Sequence, residues 1–104
     1  MKPHPGVILA AELARLELSQ AALARIIGVS AMRISLVVAG HRPITAELAL
    51  RLRPLGRPAS FWLHRQCQFD LGRARVSLGG RLGRPKRIAP PRRRANRAPE
   101  ATIV

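Results

Sequence analysis

The stretch "SQAALARIIGVSAMRISLVVAG", Ser19 to Gly40, decides the fold. Two short helical patterns, each opened by a serine, are joined by Gly28, Val29 and Ser30. Serine accepts the free backbone N–H groups of a helix's first turn, so Ser19 and Ser30 read as N-caps. Leu18 with Leu23, and Val29 with Ile34, repeat the spacing of a hydrophobic staple across a helix start. Gly28 permits the positive φ of a tight corner, and Ala24 is small where the two helices would cross. A corner of this kind can place its second helix in the major groove of DNA. On that helix Val29, Ile34, Val37 and Val38 form the stripe expected to be buried. Gly40 suits the left-handed position just past its end.

Working outward, three more helices fit. The first runs from about Pro5 to Leu16, with Pro5 at the first helical position. Val7, Ile8, Ala11 and Leu16 are its expected apolar face. Thr45 caps a fourth helix, and Glu47 in its first turn faces the positive end of the dipole. Pro54 should stop that helix at about Arg53. Ser60 is expected to cap a fifth helix that reaches about Arg75 and carries Phe61, Trp62 and Phe69. The expected fold is therefore all-α, with five helices forming a helix-turn-helix domain over residues 1–75. Residues 76–104 change character. They hold Arg81, Arg84, Lys86, Arg87, Arg92, Arg93, Arg94 and Arg97 against one acid, Glu100. Such a segment buries too little apolar surface to offset its ordering entropy, and a disordered Arg/Pro-rich basic tail is expected. No internal repeat is present.

The formal net charge of +14 predicts attraction to polyanions, nucleic acid first and anionic membrane second. A merely solvated basic tail is the plain alternative. With few aromatics the core must be aliphatic, and a core this small is marginal alone, which favours a homodimer. Cys67 is the single cysteine, so no intrachain disulfide can form. Glu12 and Arg15 interrupt the first apolar run too early for a secretory signal. No apolar run approaches the roughly 18 residues of a spanning helix. A soluble cytoplasmic protein without a membrane partner is expected.

Five blocks in order resemble a known family: "HPGVILAAEL", "LSQAALARIIGVS", "RPITAELALRL", "SFWLHRQ" and "FDLGRAR". They are similar to HigA/VapI-type antitoxins of the Xre (lambda-repressor-like) helix-turn-helix superfamily, over about residues 4–75. The resemblance implies an antitoxin of a type II toxin–antitoxin module. It would bind operator DNA, repress its own operon, dimerise, and neutralise a HigB-like toxin. The chain departs from the family pattern in places. Ala31-Met32-Arg33 stands where Arg-Gln-Thr is frequent, Leu36 where a polar or basic residue is usual, and Ala39 where Asn is usual. Ala22 replaces a capping-box Glu, "RLRPLGRPASFW" is one residue short, and the tail after Arg75 has no family counterpart.

These departures shape the expected DNA contacts. Arg33 is the residue expected to make a strong base-edge contact, bidentate to guanine. Ala31, Met32 and Leu36 can touch a thymine methyl, while Ser30 and Ser35 are adaptable. The resemblance places Gln20 against phosphate, and Arg42 follows the recognition helix where it can hold the backbone. Direct readout should be thin and phosphate contacts should carry much of the affinity. In the tail, "GRPKR" resembles the core of an AT-hook, making Arg84, Lys86 and Arg87 candidate minor-groove or polyanion contacts. Phe61, Trp62, Leu63 and Phe69 are the candidate dimer surface, with closure of the monomer core as the alternative.

Other chemistry finds no support. His64 and Cys67 share a helix face, but two ligands make no zinc site, and Cys67 is expected to be a small buried residue. His4 and His41 fall near helix ends as polar contacts. The acids pair with no His or Ser at telling spacing, and no Gly-rich phosphate loop exists. No catalytic residue, metal or cofactor is expected. Two alternatives to the antitoxin reading stand: a free-standing Xre-type regulator without a toxin, and a toxin-binding protein that has lost specific DNA recognition.

Overall fold

The computed structural model describes residues 2–92. Those residues form five α-helices and no strand: α1 Pro5–Arg15, α2 Gln20–Ile27, α3 Ala31–Val38, α4 Ala46–Arg51 and α5 Ala59–Leu78. Short 3-10 turns occupy Arg53–Leu55 and Gly79–Leu82.

The helix starts follow from side-chain oxygens and one imidazole. Ser19 Oγ accepts from the Ala22 N–H at 3.0 Å, and Ser30 Oγ from the Arg33 N–H at 3.1 Å. Thr45 Oγ1 accepts from the Leu48 N–H at 3.2 Å. His4 caps α1, its Nδ1 accepting from the Gly6 N–H at 2.8 Å. Gly28 ends α2 with φ 75°, and Gly40 follows α3 with φ 83°.

The core gathers Leu9 and Leu13 of α1, Leu23 and Ile27 of α2, Ile34 and Val37 of α3, and Leu48 of α4 around Trp62 of α5. Val29 and Val38 pack against it, as the stripe on α3 predicts. The expected face of α1 is corrected in part: Ile8 packs against the core, but Val7, Ala11 and Leu16 do not. Leu9 and Leu13 are buried, while Val7 and Leu16 are 57% and 42% exposed. The cause is Gly6: a Cβ there would collide with the Val37 carbonyl oxygen. The bare glycine lets α1 lie on α3, which turns Gly6, Leu9 and Leu13 inward and Val7 outward.

The fifth helix also differs. Its N-cap is Pro58, with φ −67° and no side-chain cap bond, and Ser60 lies inside the helix. At its other end it continues three residues beyond Arg75 to Leu78. Pro54 sits in the 3-10 turn after α4, which is only six residues long. Of the expected disordered tail, residues 83–92 carry no regular secondary structure. Residues 93–104, including Arg93, Arg94 and Arg97, lie outside the described residues.

Candidate nucleic-acid interface

The tight corner orients α3 by three local devices. The backbone N–H groups of Gly28 and Val29 both donate to the Ala24 carbonyl, at 2.9 and 3.0 Å. Ser30 caps α3, and Ile34 with Val37 anchors its inner face. Ala31, Met32 and Ser35 are exposed, Met32 at 71%, and Leu36 is half-buried. The outward face of α3 is thus largely apolar. Ser30, Met32, Arg33, Leu36 and Arg42 line one surface cleft of about 190 Å³. Five of the sequence-expected positions therefore meet on one surface. Gln20 stands at the N-terminus of α2, half-buried, and Arg42 is exposed in the loop after α3.

Arg33 lies on the flank of α3 that faces α4. Its Nη2 donates to Thr45 Oγ1 at 3.2 Å, and its Nη1 lies 3.6 Å from Glu47 Oε1. Glu47 Oε2 in turn accepts from Arg51 Nε at 2.9 Å. Arg51 Nη1 donates to the Ile27 carbonyl oxygen at the end of α2, also at 2.9 Å. The Arg51 hydrogen bond first, and the Arg33 charge next, hold the Glu47 carboxyl below the ordinary carboxylate range. Sequence reading missed this relay. The Glu47–Arg51 spacing of four residues was its one legible signal.

The residues expected to make a dimer surface point in different directions. Trp62 is fully buried and cannot meet a partner, which corrects that expectation. Its ring packs edge-to-face on Phe61 at 5.1 Å. Phe61 is half-buried beneath the Arg57 guanidinium, 4.3 Å from its centroid. Leu63 is half-buried against the core. Phe69 meets His4 edge-to-face at 4.9 Å. Cys67, expected inside, is exposed. Helical spacing instead aligns Leu63, Cys67, Leu71, Ala74 and Leu78 along one side of α5, and the last four are exposed.

The described part of the basic segment, residues 83–92, is open to solvent. Arg84, Lys86 and Arg87 are all exposed in backbone without regular structure. Among the described residues no group of three or more His, Cys, Asp or Glu side chains is arranged to hold a metal. No described helix is long and apolar enough to cross a membrane.

No family model matches the chain. Virulence-associated protein I of Dichelobacter nodosus is 47% identical over 70 residues, which span 65% of this chain and 65% of that relative's length. The antitoxin HigA of Pseudomonas aeruginosa, solved with the higBA promoter, superposes with a TM-score of 0.76 at 36% identity. That match covers 80% of this chain and 92% of the Pseudomonas chain. The chain belongs to the HigA/VapI-type antitoxin family. An addiction-module antidote protein of the HigA family from Coxiella burnetii agrees, with a TM-score of 0.76 and 35% identity over 86% of this chain and 97% of its own. The helix-turn-helix of α2 and α3 is the shared antitoxin scaffold, and the apolar outer face of α3 is what this HigA-type chain builds on it.

Proposed function

We propose that the protein is the antitoxin of a type II toxin–antitoxin module, binding operator DNA through its helix-turn-helix, repressing its own operon and neutralising a HigB-like toxin. The observation that carries this reading is the superposition on an antitoxin solved with promoter DNA, at 36% identity over 92% of that chain. The cleft that gathers Ser30, Met32, Arg33, Leu36 and Arg42 supports it. In this reading Arg33 contacts a guanine edge, Ala31 and Met32 touch thymine methyl groups, and Ser30 and Ser35 adapt to either base. Gln20 and Arg42 hold phosphates, and Arg84, Lys86 and Arg87 add minor-groove or phosphate contacts. The DNA-binding domain then ends at about Leu82, where the last regular turn closes, and the basic tail follows. The chain acts as a cytoplasmic homodimer, at the nucleoid when on DNA, and is not an enzyme.

A second reading is favoured by one observation: Met32, on the outer face of α3, is 71% exposed and apolar. In that reading the protein neutralises a toxin and no longer selects DNA sequence. Footprinting on the DNA upstream of its own reading frame decides. The first reading expects a protected palindrome with half-sites about one helical turn, roughly 34 Å, apart. It also expects Arg33→Ala to remove sequence preference, at about 1–3 kcal/mol, while random DNA still binds. Protection of no site favours the second. Co-purification of the product of the adjacent reading frame tests the toxin, and its absence leaves a free-standing regulator.

A further inference from the structure

We propose that Glu47 is a positioning residue for DNA reading, its carboxylate and the Thr45 hydroxyl holding the Arg33 guanidinium in place to meet a guanine edge from the flank of α3. This rests on the DNA-binding reading above. Only five acids accompany 19 Lys and Arg residues in the chain, and Glu47 lies beside the surface proposed to face phosphate. An exposed acid there opposes DNA binding unless it does something for the interface.

The geometry says what it does. Each Glu47 oxygen takes a different arginine, Oε1 facing Arg33 and Oε2 bound to Arg51. Arg51 is anchored on the Ile27 carbonyl, the last of α2. The run from Ile27 through Arg51 and Glu47 to Arg33 therefore ties the guanidinium to the corner that orients the recognition helix. Arg33 is the only cation on α3, and its side chain is only 28% exposed. A guanidinium has five N–H donors. Thr45 accepts from Nη2, and Glu47 faces Nη1 as an ion pair at 3.6 Å, so the donors that remain include Nε–H. Ordering a long side chain on binding typically weakens a contact by about two- to tenfold. Holding Arg33 beforehand removes that penalty at the base that matches it.

The test uses full-length protein and two probes: a duplex enriched from a random pool by the wild type, and a scrambled duplex of equal composition. Glu47→Gln should bind the enriched duplex about two- to tenfold more weakly and the scrambled duplex no more weakly. Glu47→Asp keeps the charge but withdraws it by one methylene, and should share the loss. In an Arg33→Ala background neither change should cost anything further. In the free protein, distinct Arg33 guanidinium resonances should average in Glu47→Gln. Equal losses on both duplexes, losses that persist without Arg33, wild-type behaviour of both variants, or tighter binding of the enriched duplex each overturn the proposal. A wild type that enriches no sequence overturns the DNA-binding reading and this inference together. Enrichment by the wild type with any of the former outcomes overturns this inference alone.

Discussion

Gln66 Oε1 accepts the backbone N–H of Ile44 at 2.8 Å, tying α5 to the loop between α3 and α4. The Gln66 amide nitrogen donates onward to Asp70 Oδ1 at 3.0 Å. Both Gln66 and Ile44 are buried, at 6% and 1% exposure, so the Ile44 amide has no access to water. Gln66→Leu should therefore cost about 1–3 kcal/mol, the penalty of an orphaned buried donor. For a domain of this size each kcal/mol lowers the melting midpoint by about 4–8 °C. Gln66→Glu combined with Asp70→Asn keeps an acceptor for Ile44 without setting two carboxylates together, and should lose less. Thermal unfolding of the two variants checks the ordering, and equal losses would mean that packing, not the bond, is what matters.

His4 predicts a pH dependence. Burial pushes its imidazole below the ordinary 6.5, assisted by the Arg73 charge and opposed by the Arg42 backbone and Asp70. Its Nδ1 lone pair is also the cap of α1, and a proton there would displace the Gly6 N–H. A depressed folded pKa means that the unfolded chain binds the proton first. The stability is thus fully present above about pH 6.5 and is lost as pH falls through the folded value. Glu12 and Glu47, both held below the ordinary 4.5, lose their contributions only at still lower pH. His4→Asn retains a capping acceptor and should flatten the fall of denaturant stability in the window below about pH 6.5. A wild type already flat in that window would refute the assignment.

Self-association should run through the outer stripe of α5 rather than through the aromatics. Leu71 is 49% and Leu78 40% exposed, whereas Trp62 is sealed inside. Leu71→Glu should shift a sedimenting dimer to monomer with little change in helicity. Phe61→Ala should instead lower stability without shifting the association constant. A wild type that sediments as monomer at tens of micromolar ends the argument.

Removing residues 83–104 deletes Arg84, Lys86, Arg87, Arg92, Arg93, Arg94 and Arg97. If about four of them neutralise phosphates, the log–log salt slope for duplex DNA should flatten by about 3.6. An AT-hook adds a second signature. The tail's contribution should be larger on A·T-rich duplex, and Arg84→Ala should erase that difference. Identical slopes with and without the segment would make it an inert appendage.

What the sequence made legible is what local chemistry dictates. Ser19, Ser30 and Thr45 cap the helices they were expected to cap. Gly28 and Gly40 take the positive φ expected of them, and Ile34 with Val37 is buried. Most of the misses arise from tertiary contacts. Gly6 turns α1 because it meets a carbonyl 31 positions away in the chain. Leu9 and Leu13 compete with Val7 and Leu16 on pattern alone, and only that crossing chooses between them. Glu12, an acid in an apolar run, is buried because Arg15 and Arg57 reach it at 2.8 and 3.2 Å. The Glu47 relay and the Gln66 bond join segments that no periodicity links. Pro58 starts α5 without a capping side chain, so the search for a capping serine chose Ser60, two positions late.

Trp62 is the only tryptophan, and the chain has no tyrosine. Its indole N–H is buried without a hydrogen-bond partner. The natural fluorescence of this protein is therefore a single lamp set at the junction of its helices. Emission from the native chain should be blue-shifted and shielded from aqueous quenchers. A red shift reports that the core has opened, whichever helix left first, with no label attached.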